Sequence, residues 1–363
     1  MNHLFITGTY RSGSTLLQKI IGAHPSAGIF LQPCAPLFFY TKNKFYQKHD
    51  LQKTYSIDPA FPMAGFAWEE LYNFLESEIF NSLDLKLVFE HIEKYKGILT
   101  PGVGKVEDKV KEEIFFKIYL QIISLLNHEG KPCVGSKEIL CEEFTPYFIR
   151  KGIKVIIVVR DPRDIICSLN FGKGSDFTGE IRPLLYSLRL WRKSIAFSIL
   201  NLSSPDFMMI RYEDLVVNQN DVLKGIFSFL GLNPEVNVLV NKSWKGNSSF
   251  GELNSVSDSS VGNYKKMLDE NTIAYIENVC RPEMNWAGYE FVNNHLRIEN
   301  IRLYQEPFKI KHRNFGQGYS SDPINMLDEI LRIKLLREKN VHKEEQLSYF
   351  LFPEVYHQLK DNL

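Results

Sequence analysis

Short apolar runs alternate along this chain with longer amphipathic stretches, and the junctions between them carry most of its candidate chemistry. The run "HLFIT" (3–7) is rich in strand formers and stops at Gly8. The next stretch places Leu16, Leu17, Ile20 and Ile21 at helical spacing, with Ser12 as the expected N-cap and Gly22 then Pro25 as the stop. The order is strand, tight loop, helix. It recurs at "KVIIVVRDPRDIICSL", where Val155 to Val159 read as a buried strand, Arg160 ends it, Asp161 caps a helix and Pro162 takes the first helical position. Two such units predict an α/β fold with a parallel sheet flanked by helices.

Residues 33 to about 130 read as mostly helical and are rich in aromatics, among them Phe38, Phe45, Trp68 and Phe74. Such a segment serves either as a cap on the acceptor side of a pocket or as core. A helix around Trp191, a strand at "FMMIRY" and a helix at "DVLKGIFSFLGL" ending at Gly231 come next. Residues 241–263 form a Ser/Asn/Gly tract without period, longer than an ordinary connection. Toward the end, "PINMLDEILRIKLLREKN" is helical in pattern. The expected organisation is one domain over 1–290 and a helical extension over 291–363.

Composition narrows the function. The 363 residues carry 43 Lys+Arg against 43 Asp+Glu, so no net basic field exists to hold nucleic acid or an anionic membrane, and an anion site has to be local. The five cysteines are scattered without a C-x-x-C pair, which predicts reduced thiols in a cytoplasmic setting. The opening "MNHLFI" is too short for a signal peptide, and no run approaches the roughly 18 apolar residues of a membrane span. H-E-x-x-H, H-x-H and clustered Cys/His patterns are missing from the sequence, so the expected chemistry uses no metal.

The first loop, "GTYRSGST", has the glycine spacing of a phosphate loop, Gly8 to Gly13, but Ser14 stands where that template has lysine. A helix N-terminus offers amide groups and a positive dipole end to any anion. The missing lysine argues for a donor whose end group carries less charge than a terminal phosphoryl, such as a phosphosulfate, with Arg11 as the loop cation and Ser12, Ser14 and Thr15 as hydroxyl donors. Arg160, at the carboxyl edge of the sheet, suits bidentate phosphate recognition, or else an ion pair with Asp161 or Asp164. Ser168 is either a ligand hydroxyl or one bonded to its own helix.

At several places in the same order, the chain resembles sulfotransferases that use 3'-phosphoadenosine 5'-phosphosulfate (PAPS). "TYRSGSTLL" is similar to the family's 5'-phosphosulfate loop, and "VIIVVRDPRDIICSL" to its 3'-phosphate segment, with Arg160 and Ser168. "MMIRYEDLV" is similar to the stretch that brings a tyrosine, here Tyr212, near the nucleotide. "SSVGNYKK" resembles the late loop over the 3'-phosphate and makes Ser260, Gly262 and Lys265 candidates. The resemblance spans about residues 1–290 and implies a P-loop-like sulfotransferase fold with PAPS as donor and 3',5'-bisphosphoadenosine (PAP) as product.

The family often has a catalytic lysine in a "KxP" segment, which here reads "KEI" and assigns Lys137 to stabilising the leaving group or the sulfuryl group. Many bacterial members show Glu-Pro soon after the first helix, whereas this chain has Gln32-Pro33, which leaves the base unassigned. His24, His49, Asp50, Glu69 and Glu70 lie nearby in sequence and none stands out. The expected activity is sulfuryl transfer to a hydroxyl or amine of a small molecule or carbohydrate, by a protein whose ordinary assembly would be a homodimer. The rival readings are a PAP- or PAPS-binding protein without catalysis and a phosphate-loop kinase.

Overall fold

The structure is a computed structural model that describes residues 2–49, 68–94, 106–172, 181–182, 184–234, 256–292, 326–339, 341, 347 and 349–362. Among these residues the strands are β1 (Asn2–Thr7), β2 (Ala27–Leu31), β3 (Ile79–Phe80), β4 (Glu113–Ile114), β5 (Cys133–Lys137), β6 (Lys154–Val159) and β7 (Phe207–Arg211). Five of them make one parallel sheet in the order β2-β5-β1-β6-β7, and β3 and β4 form a small antiparallel pair. The expected parallel sheet is present, and β2 and the small pair add to it. The two strands of the pair are only two residues long, too short for a period to show.

The first helices are α1 (Ser14–Gly22), α2 (Ala35–Lys48), α3 (Trp68–Ser77), α4 (Ser82–Lys94), α5 (Phe115–Leu126) and α6 (Thr145–Arg150). They are followed by α7 (Pro162–Phe171), α8 (Leu184–Asn201), α9 (Tyr212–Val217) and α10 (Gln219–Leu230). The last are α11 (Tyr264–Met267), α12 (Glu270–Trp286), α13 (Met326–Glu338) and α14 (Pro353–Leu359). The Ser/Asn/Gly tract lies outside the described residues up to 255, as does Asp50.

Strand alternation divides the interior in two. Leu4, Ile6, Ile156, Val158 and Ile210 face α1 and α10, where they bury against Leu17, Ile20, Ile21, Phe227 and Leu230. Phe5, Val155, Ile157 and Val159 face the other layer with Phe38, Phe148, Trp191 and Phe197. Phe5 packs 4.6 Å from Phe148 and 5.6 Å from Phe38 between ring centroids. Burying each such ring stabilises the fold by about 1.5–3 kcal/mol. The aromatics of α2 and α3, including Phe45, Tyr72 and Phe74, belong to this same layer and are core.

Local signals set the helix ends. Asp161 accepts a hydrogen bond from the Arg163 amide at 2.9 Å and caps α7. Gly231, at φ 66°, closes α10 while the Leu232 amide donates to the Phe227 carbonyl at 2.8 Å. Ser12 is not the cap of α1: Gly13 is, at φ 95°, and the Ser12 amide instead donates to the Thr9 carbonyl in the preceding turn. Helix α13 docks by charge, with Glu329 held by Arg189, Arg192 and Arg332, all from α8 or α13. Arg332 also donates to Glu283 of α12 at 2.6 Å. Near α14, Phe352 packs against Trp68 and Phe197.

Candidate active site

Strands β1, β5 and β6 end side by side at the carboxyl edge of the sheet, and the site is built on the loops that leave them. Gly8 leaves β1 at φ 149°, and a Cβ there would lie 2.4 Å from the Val158 carbonyl oxygen on β6. Only glycine lets the loop pass this close to the neighbouring strand. A Cβ on Gly13 would meet the Tyr212 ring at 2.3 Å. Between the two glycines, Arg11 takes a left-handed conformation at φ 63°, which turns its side chain across to β6 and α7.

That turn joins the two loops. Arg11 Nε donates to Ser168 Oγ at 2.7 Å, a contact across 157 residues of sequence. Arg160 donates from one terminal nitrogen to the Arg11 carbonyl at 3.3 Å and from the other to the Ser260 carbonyl at 2.6 Å. Its guanidinium lies 4.5 Å from the centre of the Tyr212 ring. Tyr212 Oη and Ser260 Oγ are 3.2 Å apart. Trp191, buried on α8, donates to the Arg160 carbonyl at 2.8 Å and fixes the strand end from behind. Burial, then the like charges of Arg160 and Arg182, push the Arg11 guanidinium down to about 10.

Asp164, in the first turn of α7, holds the late loop. Its two carboxylate oxygens accept from the amides of Gly262 at 2.7 Å and Tyr264 at 3.0 Å. Arg163 pairs with Asp161 and Glu277, each at 2.6 Å, and lies 4.1 Å from the centre of the Tyr264 ring, so α12 is clamped to the same turn. Arg160 thus has no claim on Asp161, which Arg163 occupies.

The end of the site at Lys137 is barer. Lys137 ends β5 with 2% of its surface exposed, and its Nζ donates to Gln32 Oε1 at 3.1 Å. The Gln32 amide donates back to the Lys137 carbonyl at 2.8 Å, and Gln32 sits at φ 50°. Burial pushes the Lys137 ammonium down to about 8, with Arg11 adding to the effect and Glu138 and Cys141 opposing it. Glu138 is fully buried on the other side, where its Oε1 accepts from the Cys34 amide at 2.9 Å and burial raises its carboxyl to about 8. A second layer of buried charge lies beyond, with Lys42 2.5 Å from Glu143 and Lys193 3.0 Å from it.

The structure brings Arg11, Ser12, Gly13, Ser14, Arg160, Ser168, Tyr212, Ser260 and Gly262 together in one cluster, with Thr15 half-exposed beside them. Lys265 is tied to that cluster by its backbone alone, its amide donating to the Gly262 carbonyl at 3.2 Å. Its side chain is exposed on α11, with Nζ 5.8 Å from the centre of the Tyr264 ring. His24 serves the fold: Nδ1 accepts from the Ser26 amide and the ring packs on Phe227. His49 lies 3.7 Å from Glu70, and Glu69 pairs with Arg150. Sequence reasoning missed Trp191, the carboxylate anchor at Asp164 and Arg182. A carboxylate in the first turn of a helix whose N-cap is already filled could have flagged Asp164 as free to hold another loop.

Two buried polar atoms fit an incoming anion. Ser12 Oγ and Arg160 Nε have no hydrogen-bond partner among the described residues, and each lies within the cluster. A buried donor left without a partner costs about 1–3 kcal/mol, which a bound oxyanion would offset. Among the described residues no cluster of His, Cys, Asp or Glu is arranged to hold a metal ion, and no helix is long and apolar enough to cross a membrane.

A parallel sheet whose strand-end loops converge on paired arginines defines an α/β protein with a site suited to an anion. Residues 1–175 match the family model described as sulfotransferase domain. Among curated proteins it is similar to carbohydrate sulfotransferase 1 of Danio rerio, 26% identical over 189 residues, covering 42% of this chain and 42% of that one. The Mus musculus protein of the same name is 24% identical over 181 residues, covering 43% and 44%. The chain thus spans less than half the length of these curated relatives. Similar solved structures include the sulfotransferase domain from the curacin biosynthetic pathway, 20% identical, covering 80% of this chain and 98% of that one at a TM-score of 0.45. Another is mouse sulfotransferase SULT7A1 complexed with PAP, 16% identical, covering 74% and 79% at a TM-score of 0.38.

Proposed function

We propose that this chain transfers a sulfuryl group from PAPS to a hydroxyl or amine of a carbohydrate or other small acceptor. The observation that carries the proposal is the bridge from Arg11 to Ser168, with Arg160 bonded to the Arg11 carbonyl. It joins a loop suited to one anion with a strand end suited to another. The amides at the start of α1, with Arg11, Ser12, Ser14 and Thr15, would hold the 5' end of the donor, and Arg160 and Ser168 its 3'-phosphate. Tyr212, Ser260 and Gly262 wall the space between, and Lys265 is the candidate from the late loop.

When bound, PAPS supplies a sulfuryl group activated by its anhydride bond to phosphate. The protein's part is to fix the two anionic ends and to place cations where charge develops on the bridging oxygen. Arg11, the cation of the first loop, is the candidate for that charge. The carbohydrate sulfotransferase relatives favour a sugar acceptor. Ser14 at the lysine position of the loop supports binding without a metal ion, and five buried free thiols are consistent with a cytoplasmic protein. A homodimer remains the ordinary expectation for its assembly.

Calorimetry with adenosine 3',5'-bisphosphate tests the reading. Saturable heat in EDTA is the expected result, and binding only with magnesium would favour a phosphate-loop kinase. Gln32 at the usual carboxylate position gives the second reading, a binding protein without catalysis, some support. Tight bisphosphate binding with no sulfuryl transfer to any sugar, phenol or amine in a broad panel would favour it.

A further inference from the structure

We propose that Lys137 is the base that takes the acceptor's proton, positioned by the side-chain amide of Gln32. This rests on the sulfuryl-transfer reading. Strand β5 lies between β2 and β1, so its last residue stands beside the turn that carries Gln32 and the loop that carries Arg11. Lys137 and Gln32 are tied twice, side chain to side chain at 3.1 Å and backbone to backbone at 2.8 Å. The left-handed backbone of Gln32 is strained for a non-glycine residue, and these bonds hold it there.

The uncharged side chain of Gln32 sets what the neighbouring lysine can do. An amide oxygen accepts a hydrogen bond from either protonation form of Nζ, but it brings no negative charge to hold the ammonium. The charged or titratable groups that act on Lys137 are Arg11 from the loop after β1, Glu138 on its own strand end and Cys141 from the following turn. Burial is the largest influence and favours the neutral amine, as does Arg11, while Glu138 and Cys141 oppose them; Glu138 Oε1 accepts from the Cys34 amide. A buried lysine under these conditions carries a usable lone pair near neutral pH.

The step balances on one proton and one sulfuryl group. The Nζ lone pair takes the hydrogen of the acceptor hydroxyl or amine as the acceptor atom bonds to sulfur. The bond from sulfur to the bridging oxygen breaks, and its electron pair stays on the phosphate of the departing bisphosphate. Lys137 ends as an ammonium and returns its proton to solvent.

The test is the titration of lysines labelled with carbon-13 at Cε, followed by NMR in the nucleotide-free protein. One resonance, absent in Lys137→Arg, should titrate near 8 and move upward by at least one pH unit in Gln32→Glu, where a carboxylate would hold the ammonium. The acid limb of kcat/KM should move in step, so Gln32→Glu should be slower than the parent at pH 7. Lys137→Arg keeps the charge but loses the base, and should lower kcat by about 10²–10⁴-fold while bisphosphate affinity stays within about threefold. A Lys137 midpoint near 10, a faster Gln32→Glu enzyme at pH 7, or Lys137→Arg with more than about a tenth of parental kcat would each overturn the assignment. Should Lys137→Arg fail to fold, the resonance that Gln32→Glu displaces identifies the lysine. Absence of bisphosphate binding by the parent protein would overturn the sulfuryl-transfer reading itself, whereas binding with a midpoint near 10 would remove only the base.

Discussion

The proposed nucleotide side and the proposed acceptor side of this site are built in opposite ways. On the nucleotide side each element is held from several directions: Arg11 by Ser168, Arg160 by the Arg11 and Ser260 carbonyls, Gly262 and Tyr264 by Asp164. These contacts link segments far apart in sequence, so the protein's own bonds hold the walls together. On the acceptor side, one side-chain bond joins Lys137 to Gln32, with a buried carboxyl at Glu138 behind it. Rigid walls suit a donor with fixed anionic ends. A sparse arrangement around one desolvated lysine suits a site that has to move a proton.

The largest expected effect comes from breaking the nucleotide side at its base. Gly8→Ala forces a Cβ to within 2.4 Å of the Val158 carbonyl, on a central strand that cannot withdraw without giving up its pairing. The cost should be about 2–4 kcal/mol of stability, read as a lower urea midpoint with an unchanged m-value. A midpoint within experimental error of the parent would mean that the loop does not depend on this close approach.

The same contrast explains what could be read from the sequence. The loop at 8–15 was legible because a strand run, two glycines and a helical period stand in one uninterrupted stretch, and Arg160 because it ends a fully apolar strand. Both rest on local patterns. The Arg11 to Ser168 bridge and the Asp164 anchor were not legible, because they depend on which strands lie adjacent and on a positive φ at a non-glycine residue. The acceptor side was legible only as a gap at Gln32: nothing in the spacing shows that residues 32 and 137 pair across neighbouring strands. The N-cap of α1 fell to Gly13 rather than Ser12 because the loop needs its turn closed at Thr9 first.

Arg160→Ala probes the nucleotide side by removing one guanidinium and its bonds to the Arg11 and Ser260 carbonyls. It should weaken adenosine 3',5'-bisphosphate by about 1.5–3 kcal/mol and leave adenosine 5'-phosphate nearly unchanged, since a charged hydrogen bond is lost only where a 3'-phosphate exists. Calorimetry with both nucleotides decides it. Equal losses would place Arg160 in a general structural role and undo the division of the site into two anion-binding ends.

Glu138→Gln probes the other side through pH. Burial raises the folded-state carboxyl to about 8, above its unfolded value, so its contribution is fully present at low pH and is lost as pH rises through the folded value. The wild-type protein should therefore lose stability between about pH 5 and pH 9 relative to the glutamine variant, which has no proton to give up. The difference should be on the order of 1 kcal/mol, because ionised Lys137 next in sequence offsets part of the cost of charging Glu138. Melting temperatures of both proteins across that range would show it, and a constant gap would mean that Glu138 does not titrate where its burial implies.

The smallest effect is expected at Lys265, and its size sharpens the comparison. Its side chain is exposed and, among the described residues, lies against the Tyr264 ring, while the loop that carries it is fixed by Asp164 through backbone amides. An exposed cation at the rim of a preformed wall adds a screened attraction, so Lys265→Ala should weaken the bisphosphate by less than about 1 kcal/mol and lose that effect in high salt. Asp164→Asn, which leaves the loop amides facing a weaker acceptor, should cost more than Lys265→Ala even though Asp164 repels the ligand. The reverse order would mean that the late loop closes on the nucleotide through its lysine, and that the nucleotide side is assembled by its ligand rather than waiting for it.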